Sequence, residues 1–228
     1  MTASILPPPI ATAPEDEIFT IPGLSWEQYV AISDALGDRG GLRTFYADGS
    51  MTFLSPARKH EWSGDAIDEI VKTISVGCDI ECDVVASTTL RKREIEHALE
   101  GDKVYYLGEN ATLMAGPLEI DLAIHPPPDL AIEVENSRRA TSVVPIYARL
   151  GVPEVWRLDV RRQTLTFGVL RPDATYEAVS ASLAFPFLAP ADVLDQLRRA
   201  EESKSRNRWF LQLNDWVRDV IRPRLDPA

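Results

Sequence analysis

Two carboxylates two residues apart in a short apolar run are the part of this sequence best suited to chemistry. The run is Pro128-Asp129-Leu130-Ala131-Ile132-Glu133-Val134-Glu135-Asn136. Leu130, Ala131, Ile132 and Val134 form a stretch too short for a helix and bounded by prolines and Asn136, which predicts a buried strand. Side chains two apart on a strand share a face, so Glu133 and Glu135 point the same way. A buried strand carries two such acids only with compensation, because an unpaired buried charge is costly. A divalent cation would supply it. So would arginine partners (Arg138, Arg139 or Arg157) or exposure at the strand's end. Asp102 is a third acid, placed where the run Val104-Tyr105-Tyr106-Leu107 begins. If these two strands are neighbours, Asp102, Glu133 and Glu135 converge. Hard oxygen ligands of that kind suit magnesium or manganese. An ion held there can activate water and stabilise charge on a phosphoryl oxygen, which are the needs of phosphodiester cleavage. The plainer alternative is that Asp102 caps a strand while the glutamates pair with arginines.

The elements that must position these acids are legible on either side. After Glu135 the sequence predicts a helix over Thr141 to Leu150, with Pro145 near its first turn and Gly151 just past its end. A strand over Val155 to Val160 follows, and the strand–helix–strand unit reads as parallel and right-handed. Upstream, Ser25-Trp26-Glu27-Gln28 has the pattern of a capping box opening a helix that Gly37 closes. Leu42 to Tyr46 and Met51 to Leu54 flank Ala47-Asp48-Gly49-Ser50, a hairpin signal. A helix over about Arg58 to Val76 carries Ile67, Ile70, Val71 and Ile74 on one face. Asp65, Asp68 and Glu69 lie off that stripe and read as solvated, and His60 and Glu61 in the first turn read as capping or solvated residues. Strand material spans Ile80 to Leu90, a polar link Arg91 to Glu100, and a long connection residues 108–127. Gln163 to Leu170 and Thr175 to Ser180 form a second hairpin. Two helices, Ala191–Glu201 and Ser205–Ile221, end the chain, and in the second Trp209, Leu213, Trp216 and Val220 make an apolar stripe for the core or a partner.

Composition sets the outer bounds. The chain has 228 residues, 45% hydrophobic and 26% charged, as in a globular protein with one sizeable core. No apolar run approaches the roughly 20 residues of a membrane span. No basic region followed by an apolar core opens the chain, which predicts a cytoplasmic protein without a secretory signal. Cys78 and Cys82 stand alone and read as free thiols. A net charge of −11 excludes indiscriminate charge-driven binding to nucleic acid but leaves room for a local basic groove. Residues 1–17, proline-rich and then acidic, read as a flexible tail. Residues 18–188 read as the main domain and 189–228 as a helical extension.

Three segments carry a resemblance to a known family: Glu100-Gly101-Asp102-Lys103-Val104-Tyr105-Tyr106-Leu107, the Pro-Pro-Asp-Leu-Ala-Ile-Glu-Val-Glu strand, and Pro145-Ile146-Tyr147-Ala148-Arg149-Leu150-Gly151-Val152-Pro153-Glu154-Val155-Trp156-Arg157. Together they resemble the "Uma two" family of the restriction-endonuclease-like, PD-(D/E)XK superfamily, from about Leu24 to the Trp216 helix. The resemblance implies an α/β (mixed α+β) fold: a restriction-endonuclease-like mixed sheet flanked by helices, with an N-terminal hairpin and C-terminal helices. It implies a magnesium- or manganese-dependent DNA endonuclease, with Asp102 and Glu133 as metal-binding acids and Glu135 at the position where the wider superfamily has lysine. Many relatives take that lysine instead from the following helix, at a position that is Val143 here. With neither lysine present, the ion would activate water with less help, or Arg138 or Arg139 would supply positive charge, although arginine is a poor proton acceptor. Two expectations follow: a weakened, manganese-preferring nuclease, or a non-catalytic member that binds nucleic acid or a protein partner through the same face. A homodimer is expected if the C-terminal stripe is not covered by the core.

Overall fold

Two sheets and the helices between and around them bring the acids to an interface. The computed structural model describes residues 15–37, 41–85, 89–116, 120–136 and 143–225. The first sheet is antiparallel and contains β1 (Glu17–Pro22), β2 (Arg43–Ala47), β3 (Ser50–Ser55), β5 (Thr89–Lys92) and β6 (His97–Glu100), in the order β1-β3-β2-β6-β5. The second contains β4 (Cys82–Val84), β7 (Lys103–Leu107), β8 (Leu130–Glu135), β9 (Glu154–Asp159), β10 (Thr164–Leu170) and β11 (Tyr176–Val179), in the order β11-β10-β9-β8-β7-β4. Only its β8–β9 pair is parallel, so this sheet is mixed. The helices are α1 (Trp26–Leu36), α2 (Arg58–Gly77), α3 (Glu109–Met114), α4 (Val144–Leu150), α5 (Pro190–Glu202) and α6 (Arg206–Trp216).

Local chemistry explains why these elements form where they do. Ser25 and Gln28 exchange the reciprocal bonds of a capping box at the start of α1, and Gly37 ends that helix at φ 57°. Asp48 and Gly49 both take positive φ, the backbone that a two-residue turn between β2 and β3 demands. On α2 the expected face is fully buried at Ile67, Ile70, Val71 and Ile74. It packs against Leu130, Ile132 and Val134 of β8 and against Trp209, Leu213 and Val217 of the C-terminal helix. Ala131, of the opposite parity on β8, packs instead with α4 and with Phe45, Leu54 and Leu99 of the first sheet. Glu133 and Glu135 share the parity of Ala131, so they face this second interior.

The structure departs from the expected elements at four places. The tail expected over 1–17 lies mostly outside the described residues, yet Glu17 already pairs with Ser55 as the first residue of β1. The polar link expected over Arg91 to Glu100 is a hairpin of β5 and β6 around a short 3₁₀ turn, Arg93–Ile95. Its strands show little alternation because both are short. The strand expected over Ile80 to Leu90 is divided, with β4 in one sheet and β5 in the other. At the C-terminus the buried residues are Trp209, Leu213, Val217 and Ile221, whereas Trp216 is half-buried and Val220 is 41% exposed. Steps of four drift round an α-helix, and a π-helical turn over Val217–Ile221 takes up the drift. The chain's own core therefore covers this stripe. Cys78 and Cys82 are free thiols, as expected. Among the described residues no helix is long and apolar enough to cross a membrane.

Candidate functional site

Asp102 sits one residue before β7, and the register Lys103↔Ile132 continues to place it opposite Glu133 of β8. The two acids are thus on adjacent strands, both nearly fully buried, at 6% and 7% exposure. The backbone N–H of Val134 donates to Asp102 Oδ2 at 2.7 Å, which fixes the carboxylate against the neighbouring strand. Its other oxygen, Oδ1, lies 2.8 Å from Arg43 Nη1 and 3.0 Å from His60 Nε2. Neither is a well-aligned hydrogen bond, so charge rather than directed bonding holds this buried oxygen.

His60 is a correction to the sequence reading. It is neither a cap nor solvated but 1% exposed, with Nδ1 bonded to Asp16 Oδ2 at 2.9 Å and Nε2 facing Asp102. Burial alone would push this imidazole down, but Asp102 and Asp16 outweigh it and hold its pKa up at about 9. Nε2 also lies 3.1 Å from Arg43 Nη1, where a guanidinium can only donate, so this cation opposes the charge that the two acids favour. Arg43 reaches in from β2, bridging Asp102 and, at 3.0 Å, the half-exposed Glu61. Burial lowers its basicity, but Asp102, Glu61 and Glu133 more than restore it. Asp102 answers with a lowered pKa: burial would raise it, but His60, Arg43 and the Val134 N–H prevail.

Glu133 has the opposite fate. Burial pushes its carboxyl up to about 8, and the Asp102 charge pushes the same way. The Tyr147 hydroxyl, from α4, donates to Glu133 Oε1 at 2.5 Å, and burial, reinforced by the proximity of Glu133, holds that phenol well above its usual range. Tyr147 can come this close because Gly101 has no side chain: a Cβ there would run into the Tyr147 hydroxyl and Val104. Gly101→Ala is accordingly expected to cost about 1–3 kcal/mol by overpacking. A urea melt reading a loss below about 0.5 kcal/mol would show that Tyr147 has room to move.

Glu135 does not join the other two acids. Its Oε1 accepts from Arg157 Nη2 at 2.7 Å and Nε at 3.1 Å on the adjacent strand, one of the arginine pairings weighed from sequence. Among the described residues no group of three or more His, Cys, Asp and Glu is set to hold an ion. Arg138 and Arg139 lie outside the described residues. The acids of α2 are tied down rather than free: Asp65 to Lys103, Asp68 to Tyr105 and Lys72, Glu69 to Arg206.

A cleft opens beside Glu133, with Ile18, Phe45 and Leu54 of the first sheet on one wall and Glu133, Glu135 and Val143 on the other. It has room for about 40 Å³ of solvent, enough for a few waters and far too little for a nucleotide. Val143, just before α4, thus stands on the acids' side of the helix.

Residues 26–201 match the family Uma2, described as "Putative restriction endonuclease". The chain belongs to the Uma2 family. No curated protein matches this Uma2 sequence. Among solved structures it is similar to a crystal structure titled as a putative nuclease belonging to DUF820 from Anabaena variabilis. That likeness has 14% identity, a TM-score of 0.48 and coverage of 85% of this chain and 99% of that one. The Uma2 match includes Arg43, His60, Asp102, Glu133 and Tyr147 and stops short of Asp16. Sequence reasoning singled out Asp102 and Glu133 by residue type, and the structure sets them on adjacent strands. Arg43, Asp16 and the true setting of His60 were missed, since no spacing rule links residues brought together by two different sheets.

The donor set fits a hard cation in part. Asp102 Oδ1 is a buried oxygen without an aligned donor, and Glu133 stands across from it beside space for water. Magnesium commonly takes only one or two protein carboxylates and completes its shell with water and substrate phosphate.

Proposed function

We propose that this Uma2 protein is a magnesium- or manganese-dependent DNA endonuclease in which Asp102 and Glu133 hold the ion. Glu135 is the third acid of the set and would take part after releasing Arg157. The observation that carries the reading is the pair of buried carboxylates on adjacent strands, Glu133 lining a cleft that admits water. The bound ion would supply an acidified water and a counter-charge for the phosphoryl oxygens. The chain's own groups do the positioning. Val134 N–H fixes Asp102, Tyr147 fixes Glu133 Oε1, and Arg43 places a permanent positive charge beside both acids. At neutral pH Glu133 holds a proton that it must give up before it can serve as a ligand. The cleft is too small for a nucleotide, so a phosphodiester approaches from its rim. With Val143 and Glu135 where relatives carry lysine, no ammonium assists, and turnover is slow and favours manganese, whose bound water is the more acidic.

A second reading has its own support: Asp102 is already neutralised by two internal cations, Arg43 and His60, as in a non-catalytic member that binds nucleic acid or a protein partner through this face. Cleavage of supercoiled and single-stranded DNA with magnesium or manganese separates the two, comparing the wild type with Asp102→Asn and Val143→Lys at matched folding. The endonuclease reading expects slow, manganese-favoured cutting that Asp102→Asn abolishes and Val143→Lys accelerates. A wild type that cuts nothing leaves the binding-only reading, and an Asp102→Asn variant that cuts equally well removes Asp102 from the metal site.

A further inference from the structure

Arg43 is placed as a competitor for the ion that the acids would hold. Its two terminal nitrogens are anchored separately, Nη1 at 2.8 Å from Asp102 Oδ1 and Nη2 at 3.0 Å from Glu61 Oε1. Its side chain is 16% exposed and that of Asp102 is 2% exposed, so the contact is scarcely screened by solvent. The oxygen that Arg43 approaches is the one without an aligned donor, the other being committed to Val134 N–H. Only Oδ1 is therefore left for an ion, and the Arg43 guanidinium stands on it at 2.8 Å beside the His60 ring at 3.0 Å.

We infer that Arg43 sets the affinity of this site for divalent cations: an ion reaches Asp102 Oδ1 only when Arg43 withdraws toward Glu61. The inference rests on the metal-binding reading of Asp102 and Glu133 and adds the residue that opposes it. Both anchors matter to the device. Glu61, whose side chain is 42% exposed, gives the guanidinium a second carboxylate to hold when it leaves the buried one. An arginine can span two separated acids with a planar fork, whereas a lysine is a single point charge that serves one at a time. His60, 3.0 Å from the same oxygen and bonded to Asp16 through Nδ1, is tied in place independently of Arg43.

Isothermal titration of the full-length protein with manganese chloride, without DNA, tests this in the wild type, Arg43→Gln and Arg43→Lys, with thermal melts to establish folding. Removing the guanidinium is expected to lower the manganese Kd by at least about tenfold, the equivalent of roughly 1.4 kcal/mol. Arg43→Lys, still cationic but unable to bridge, is expected to fall between the two and keeps the test alive if Arg43→Gln does not fold. Equal or weaker manganese binding by both variants overturns the role of Arg43 while leaving the metal reading in place. No binding by any of the three proteins removes the metal reading itself and this inference with it.

Discussion

Raising the pH from about 5 to 9 is expected to destabilise the protein progressively, by about 3 kcal/mol from His60 alone. The folded imidazole titrates near 9, above the roughly 6.5 of an unfolded histidine, so the folded state keeps a proton that the unfolded chain releases. That contribution is complete below about pH 6.5 and is lost as the pH rises through 9. Glu133 acts in the same direction in a lower window. Its folded carboxyl titrates near 8 against about 4.5 when unfolded, so stability falls between those values as burial beside Asp102 resists ionisation. Asp102 runs the other way: its lowered pKa gives stability that is present above about 3.8 and lost as the pH falls further. Urea midpoints at pH 5, 6.5, 8 and 9 check the set. Glu133→Gln should flatten the profile below pH 8 and leave the variant more stable than the wild type above it. His60→Gln should remove the remaining decline between 6.5 and 9. A wild type equally stable at pH 5 and 9, or a Glu133→Gln variant with an unchanged slope, would contradict this charge arrangement.

Glu154→Ala is expected to cost about 3–5 kcal/mol, a lowering of roughly 10 °C in Tm for a domain of this size. Glu154 opens β9 and is fully buried. It accepts from Trp156 Nε1 at 2.8 Å, Ser182 Oγ at 3.0 Å and Ala184 N at 2.8 Å, and none of the three donors is a cation. Alanine would leave an indole N–H, a hydroxyl and a backbone N–H unsatisfied in the interior and a cavity beside them. The loop held by these bonds carries Phe185, which packs edge-on against Trp156, itself stacked on Phe167 at 4.2 Å. Glu154→Gln preserves the shape but turns an amide donor toward groups that are already donors, so an intermediate loss of about 1–3 kcal/mol is expected. Denaturant melts reading less than about 1 kcal/mol for Glu154→Ala would show that the loop re-forms its bonds without the carboxylate.

Glu154 also shows what the sequence could and could not reveal. It lies in one of the three segments that carry the family resemblance, yet nothing in its spacing distinguishes an acid that braces a loop from one that binds an ion. The elements that were legible draw on local chemistry: the Ser25–Gln28 cap, the Asp48-Gly49 turn, the α2 stripe, and the parallel β8–β9 pair around α4. Those that were not legible depend on distant partners. β1 goes unread as a strand because its six residues directly follow an acidic, proline-rich segment, whose assigned end takes in Glu17, and only pairing with β3 gives them a strand to join. Asp102 and Glu133 could be singled out because a carboxylate on an apolar strand is conspicuous wherever it occurs. His60 looked solvated because it sits in the first turn of an amphipathic helix, and its burial is imposed by Asp16 and Arg43 approaching from the other sheet. Glu135 has the right type and parity, but its neighbour across the parallel pair is an arginine.

The placing of Asp16 against His60 has a bearing on how the chain folds. The bonds that assemble the acids join distant segments, Asp16 and His60 being 44 positions apart and Asp102 and Val134 32 apart. Closing such loops costs entropy before any contact compensates, while the β2–β3 and β10–β11 hairpins and α2 need only near neighbours. The cluster is therefore a late event, reached once both sheets stand. A nascent chain that has not yet reached Glu133 has no acid pair to offer, and whatever chemistry the pair supports is confined to the finished fold.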